Sequence, residues 1–428
     1  MSVSLLVWAG WLGATSASIS CQDPAPAKHQ PTQTVDDVAG RSDPFLLHLL
    51  RWLNRRPTTT SPAIAIGNLD AQINELQRQV AGGSLFFNER LVGSLHLRAQ
   101  TLGTLADLDT ALRVAQTFVA QAPKDPTSHQ VLARALAALH EFAAAEQALQ
   151  QALKVGADAS TVMAARASML IAVGRYQEAQ NLLSPDDVSP AGLTVRAVVA
   201  DALGDTERAN TLFSQARAQF QDVSPFTLAW MDFERARVAE RRDNRNDAIY
   251  WLTEALDALP QYAHAAIHLA GYESSTITLK RLDALDPRCD DPEVLAERAE
   301  ALRRIGQTEQ ATKTIALAKT RFEQLLQTHP RAFADHAANF YLGIGADLAR
   351  ALPLARSNAA ERPTEEAILL WLTTAQIGNA PQDICAAMQA LRALPRLRAA
   401  TGKRMATIST VCPAPALAPT MPPTIHPP

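Results

Sequence analysis

The sequence predicts an all-α protein, built as a right-handed α-solenoid of helix–turn–helix repeats with disordered N- and C-terminal segments. The first observation is a phrase that recurs with variations: GRYQEAQNLL at 174–183, GDTERANTLF at 204–213 and GQTEQATKTI at 306–315. The second is the composition, with 47% apolar but only 5% aromatic residues. Small apolar side chains such as alanine favour helices and allow them to pack closely. A phrase that returns at a period of this length is typical of stacked helical hairpins.

The alanine in each phrase belongs to a longer ladder. Its members are Ala111, Ala145, Ala179, Ala209, Ala248 and Ala311. A second alanine lies twelve residues before each of them: Ala99, Ala133, Ala167, Ala197, Ala236 and Ala299. This spacing predicts two antiparallel helices of about a dozen residues that cross at the two alanines, where only a small side chain fits.

Turn signals separate the two helices of each predicted hairpin. Gly174, Gly204, Asp243 and Gly306 lie five residues before four of the anchoring alanines. Glycine, and less often Asn or Asp, ends a helix by adopting a positive φ. Pro260 follows another second helix, where it can start the next unit.

This pattern resembles the tetratricopeptide repeat (TPR) family over about residues 90–400, in eight or nine units. One unit carries the family signature at Ala133, Phe142, Ala145, Leu149 and Ala152; another carries it at Ala236, Ala248, Leu252, Ala255 and Pro260. The resemblance implies an array whose inner face is lined by the first helix of each unit. Three stretches depart from the pattern: the unit at 261–287 is compressed, one second helix runs on to Pro330, and residues 351–380 match loosely.

The N-terminal residues predict an export signal. Residues 1–21 contain an apolar core of about ten residues, small residues and then Cys21, as in a lipoprotein signal in which Cys21 is lipidated. The alternatives are an ordinary cleaved signal, an uncleaved anchor, or no export. Residues 22–62 are predicted to be a Pro-rich and polar linker, with a short amphipathic helix at 43–56.

The repeat array is predicted to span 63–400, with a leading helix at about 67–80. The Pro-rich residues 401–428 are predicted to be a disordered tail.

Six residues are predicted to form a groove that binds a peptide or protein partner. They are Trp230, Phe233, Arg237, Arg241, His264 and His268. Aromatic rings supply buried area and arginines supply directed hydrogen bonds, as in peptide-binding surfaces. The alternative is that Trp230 and Phe233 only pack against neighbouring helices.

The sequence carries no signature of catalysis, so we expect no enzyme activity, no cofactor and no metal site. His264 and His268 have the spacing of metal ligands on a helix, but the glutamate of a metalloprotease motif is missing. A net charge of −3 argues against binding to nucleic acid. Cys385 and Cys412 can pair if the protein is exported.

The predicted function is therefore that of a non-catalytic protein–protein interaction scaffold of the cell envelope. We expect it to be periplasmic or anchored to the membrane through its N-terminus. We expect it to bind an unknown protein or peptide through the concave face of the array. One alternative is a cytoplasmic TPR adaptor or regulator. Another is an accessory domain of an enzyme with a metal- or ligand-binding groove.

Overall fold

The computed structural model of the protein describes residues 57–408, and within this range the chain forms twenty α-helices and no strand. The predicted signal at 1–21 with Cys21, the amphipathic helix at 43–56 and the residues after 408 lie outside the described residues. None of the helices between 57 and 408 combines the length and the apolar character that a membrane span needs.

The helices follow one another with short connections. The first ten are α1 (Pro62–Ala81), α2 (Asn88–Leu102), α3 (Ala106–Gln121), α4 (Pro126–Ala138), α5 (Phe142–Lys154), α6 (Ala159–Ala172), α7 (Tyr176–Leu182), α8 (Pro190–Ala202), α9 (Thr206–Ala218) and α10 (Pro225–Arg241). The remaining ten are α11 (Arg245–Ala258), α12 (Ala263–Ala270), α13 (Ser275–Asp283), α14 (Pro292–Arg304), α15 (Thr308–Thr328), α16 (Pro330–Leu342), α17 (Leu348–Glu361), α18 (Glu365–Ile377), α19 (Pro381–Ala393) and α20 (Ala399–Ile408).

Helices α2 to α19 pair in order into nine hairpins, from α2/α3 to α18/α19, and successive hairpins stack on one another. This arrangement is the α-solenoid that the sequence predicts. Helix α1 covers the first hairpin with Leu69, Ile73 and Leu76, in the place expected for a leading helix. Helix α20 extends past residue 400, where the sequence analysis placed the end of the array.

The alanine ladder lies at the centre of the hairpins. All twelve alanines predicted to mark helix crossings are at most 2% exposed. The prediction is confirmed because each position has a neighbouring helix too close for a larger side chain. Larger apolar residues, such as Leu149, Phe213 and Leu252, fill the space beside them.

The predicted turn residues are also confirmed by their positive φ angles. Gly174, Gly204 and Gly306 have φ angles of 79°, 85° and 80°, and Asp243 has a φ of 57°. The first helices of several units begin with a capping side chain followed by proline, as in Asp291–Pro292, where the carboxylate accepts the N–H of Glu293. The irregular units are as predicted, with α12 and α13 only 8 and 9 residues long.

The array closes on itself. The ends of the first helices of five successive hairpins, or the turns that follow them, touch four segments of its second half. The hydrogen bonds run from Asp290 N–H to Gly103 O, His140 Nδ1 to Arg331 O, Arg362 Nε to Ala172 O, Arg396 Nη1 to Leu203 O, and Arg398 Nη1 to Arg241 O, at 3.0 to 3.3 Å. The inner face of the solenoid is therefore narrowed to a partly open cavity.

Candidate functional site

This cavity has a volume of about 570 Å³ and presents both polar and apolar surface. Residues from the first helix of seven successive hairpins, α6, α8, α10, α12, α14, α16 and α18, line it. This is the inner face that the TPR resemblance implies. Side chains from the connections around α7 and α17, such as Tyr176 and Arg362, complete the wall.

Acidic side chains outnumber basic ones in the cavity wall. Its carboxylates are Glu234, Glu240, Glu293, Glu297, Asp335 and Glu366, and its arginines are Arg237, Arg241 and Arg362. Two histidines, His268 and His336, are also present. Such an imbalance of charge favours the entry of a positively charged group.

Most of these carboxylates have partners. His268 donates through Nδ1 to Glu240 at 2.8 Å, and His336 donates through Nδ1 to Glu293 at 2.8 Å. Arg362 lies 3.3 Å from Asp335, and Arg398 lies 3.4 Å from Glu366. These pairs fix the wall of the cavity but leave its excess of negative charge in place.

Glu297 stands apart from the other carboxylates. Within residues 57–408 its carboxylate accepts no hydrogen bond and has no ion-pair partner. Burial, followed by the nearby charge of Glu293, raises the pKa of Glu297 to about 7. A buried carboxylate without such a partner is stabilised more than a paired one by a cation that enters the cavity.

The six residues of the predicted groove separate into two groups. Trp230 and Phe233 are 1% exposed and belong to the hydrophobic core, so neither ring offers a surface to a partner in this structure. The Trp230 indole lies near the Glu234 carboxylate, and Phe233 packs 5.2 Å from both Tyr262 and His268, measured between ring centroids. Their packing matches the alternative interpretation of these two aromatics.

The other four predicted residues lie at cavity walls. Arg237, Arg241 and His268 line the large cavity, and the Arg237 guanidinium stacks 5.9 Å from the Phe233 ring centroid. His264 instead faces a second, smaller cavity of about 30 Å³, which Asp291 and His336 also line. The two histidines of the i, i+4 pair, His264 and His268, thus line different cavities.

The sequence analysis did not select the residues that α16 and the loop before α18 contribute. Asp335, His336 and Arg362 come from units that match the repeat loosely, so their register was not fixed. Their signal is nevertheless present in the sequence, because charged residues rarely occupy the buried face of an Ala-rich helix without a partner. His336 and Asp335 follow Ala332, Phe333 and Ala334 on such a helix.

A third cavity, of about 520 Å³, adjoins the large first cavity. The two share the lining residues Tyr176, Arg241, Thr364 and Glu366. The walls of this third cavity are the turns at Gly174, Gly204 and Asp243 and the segment 394–398. An acidic inner part, the first cavity, thus lies beside an outer part that contains Leu394, Pro395 and Leu397.

One group of side chains has the composition of a metal site. His264, Asp291 and Glu293 each direct a ligand atom to a common point, and these atoms lie within 4.8 Å of one another. His268 is not part of this group, since it pairs with Glu240. No other such group occurs in the part of the chain that the structure describes.

No protein-family model and no curated protein sequence matches this chain. Among solved structures, the Cut9–Hcn1 hetero-tetramer of the APC/C shows 14% identity over 72% of this chain and 52% of that chain, with a TM-score of 0.38. The human IFIT1 dimer with PPP-AAAA shows 16% identity over 71% of this chain and 77% of that chain, with a TM-score of 0.39. The TPR domain of P58(IPK) shows 14% identity over 80% of this chain and 98% of that chain, with a TM-score of 0.20.

This chain spans about half the length of the Cut9 chain. Likenesses at these identities and TM-scores concern helical architecture only. The TPR-like organisation of the protein is carried by its own hairpins, its buried alanine ladder and its turns.

Proposed function

We propose that the protein is a non-catalytic interaction scaffold whose inner face binds a polypeptide segment and places a basic side chain of that segment beside Glu297. The observation that carries this proposal is the excess of carboxylates in the cavity, with Glu297 lacking a partner among the described residues. A lysine or arginine side chain supplies both the missing charge and several N–H donors.

The size of the two adjoining cavities supports the binding of a peptide segment rather than of a folded domain. A cavity of about 570 Å³ accommodates one or two side chains, within the usual range of ligand pockets. The adjoining space beside Leu394, Pro395 and Leu397 offers apolar contact for the residues that flank the basic one. Charge in the inner part would set the register of the segment, and the outer part would add buried area.

A selection from a random peptide library displayed on phage, with the full chain as bait, tests this proposal. We expect enriched peptides to share one lysine or arginine flanked by apolar residues. Glu297→Gln, which keeps the shape of the side chain but removes its charge, should abolish the enrichment. Glu309→Gln is the matched control, because Glu309 is exposed on α15 and pairs only with Lys313.

Two results would overturn the proposal. One is enrichment of peptides without a basic residue. The other is enrichment that is as strong with Glu297→Gln as with the unchanged chain.

We further propose that the protein works in the cell envelope. The signal-like residues 1–21 ending at Cys21 support this, and so does the disulfide bond that Cys385 forms, since disulfides persist in oxidising compartments. Cys289 is a free thiol. The predicted partner of Cys385, Cys412, lies outside the described residues.

Mass spectrometry of the protein purified from its source tests the location. We expect loss of the residues before Cys21 together with a lipid adduct on Cys21. Peptide mapping without reduction should recover Cys385 in a disulfide-linked pair. An intact Met1 and a reduced Cys385 would instead indicate the cytoplasmic alternative.

A further inference from the structure

The cluster of His264, Asp291 and Glu293 joins two hairpins. His264 lies on α12, Asp291 caps the start of α14, and Glu293 lies in the first turn of α14. Their ligand atoms lie within 4.8 Å of one another, although His264 belongs to a different hairpin from Asp291 and Glu293. An imidazole and two carboxylates that converge from separate elements are the kind of donor set that binds a divalent metal ion.

The imidazole of His264 lacks a polar partner in the protein. Its side chain is only 7% exposed, and among residues 57–408 it makes no hydrogen bond; its ring contact is with Phe233, at 6.4 Å between centroids. A buried polar group without a partner is costly.

The space beside the cluster has the right size for an ion. The small cavity of about 30 Å³ is lined by the polar side chains of Gln100, His264, Asp291 and His336, and the rest of its wall is apolar. A cavity of this volume has room for an ion or a water molecule but not for an organic ligand.

The carboxylates are held in place and still have capacity for a ligand. Glu293 accepts one hydrogen bond from His336 Nδ1 at 2.8 Å, and one oxygen of Asp291 accepts the N–H of Glu293 at 2.9 Å. Each carboxylate has a second oxygen. Such outer hydrogen bonds orient the ligands in known metal sites.

We propose that His264, Asp291 and Glu293 bind one divalent transition-metal ion of the zinc or cobalt type, which fastens α12 to α14. Imidazole favours these ions over Ca²⁺ and Mg²⁺, which prefer oxygen donors alone. Ligand atoms on one zinc ion are roughly 3 to 3.5 Å apart, so the three ligand atoms approach one another by at most about 1.5 Å on binding. A water molecule in the small cavity completes the coordination.

A cobalt titration tests this site. The full chain, prepared without a polyhistidine tag and stripped with a chelator, is titrated with Co²⁺ and followed by calorimetry and visible absorption. We expect one equivalent to bind, with d–d bands of a nitrogen and oxygen site. His264→Gln and Asp291→Asn should each weaken binding by about a hundredfold or more.

The controls separate ligand loss from unfolding. Asparagine caps a helix as well as aspartate does, so Asp291→Asn keeps the start of α14 intact while it removes the charge. His268→Gln changes a histidine on the same helix that hydrogen-bonds Glu240 instead, and it should bind Co²⁺ like the unchanged chain. Circular dichroism without metal checks the fold of each variant, and Asp291→Asn decides the outcome if His264→Gln does not fold.

Three results would overturn the proposal. The first is the absence of saturable binding to the unchanged chain. The second is binding that survives both His264→Gln and Asp291→Asn. The third is a thiolate-to-cobalt charge-transfer band, which would place Cys289 in the ligand set.

Discussion

Arg362 donates a hydrogen bond through Nε to the backbone carbonyl of Ala172 at 3.2 Å, across 190 positions of the sequence. The same guanidinium lies 3.3 Å from Asp335, and both side chains are at most 4% exposed. One residue in the connection before α18 thus joins the end of α6 to α16. This contact closes the middle of the array.

We expect Arg362→Gln to lower the free energy of unfolding by about 3 to 5 kcal/mol, because it leaves the Asp335 carboxylate buried without its guanidinium. Urea denaturation followed by circular dichroism measures the change. Arg356→Gln is the control, since Arg356 pairs with Asp383 at the surface and is 54% exposed in its side chain. Its effect should stay below about 1 kcal/mol. Equal losses in the two variants would show that the closure contributes little.

Another arginine, the half-buried Arg217, pairs with two acidic side chains. Asp232 and Glu254, both 4% exposed in their side chains, form ion pairs with it. Burial raises the pKa of Asp232 to about 6 even with Arg217 present. Arg217→Gln should therefore cost about 3 to 5 kcal/mol at pH 8. The deficit should shrink at pH 5, where protonation removes the uncompensated charge; a deficit independent of pH would contradict this explanation.

Glu297 should make the protein less stable as the pH rises. Its folded pKa of about 7 lies above the ordinary value of 4.5, so its contribution is fully present below pH 4.5 and is lost as the pH rises through 7. We expect Glu297→Gln to be more stable than the unchanged chain at pH 8, by at most about 3 kcal/mol, and nearly equal to it at pH 4.5. Thermal unfolding across this range measures the difference. An unchanged pH slope in Glu297→Gln would refute the prediction.

Gly103 and Gly306 form a matched pair that isolates the closing contact at the first turn. Their φ angles are 71° and 80°, so alanine pays a similar backbone cost at both, about 1 to 2 kcal/mol. A Cβ at Gly306 meets nothing, whereas one at Gly103 would lie 2.6 Å from Cys289 Sγ and 3.1 Å from Ala263 Cβ. Gly103→Ala should therefore lose about 1 to 3 kcal/mol more than Gly306→Ala in urea denaturation. Equal losses would mean that Cys289 and Ala263 move aside without cost.

The hairpins could be predicted from the sequence because their determinants are local. The alanine at each crossing and the glycine at each turn act within one unit, and their spacing is visible in the chain. Trp230 and Phe233 show the limit of this approach. On α10, which is buried around most of its circumference, the pattern did not separate the face toward the cavity from the face toward the next helix.

The closure and the cavity could not be predicted, because they depend on the small rotation between each unit and the next, summed over many units. Arg362 and Ala172 share no local pattern. His336 and Asp335 belong to units whose register was loose, so their convergence with Glu293 was not visible. His264 was selected for its spacing to His268, but its neighbours in the structure, Asp291 and Glu293, come from another hairpin.

The five contacts between early turns and late segments change how such an array is expected to fold. An open solenoid can lose or gain units at one end, because each unit senses only its neighbours. Here the early carbonyls of Gly103, Ala172 and Leu203 obtain their partners only when much later residues have been synthesised. During translation the turns of the first hairpins therefore lack these hydrogen-bond partners. We expect the finished chain to unfold as one cooperative unit rather than to fray from its ends.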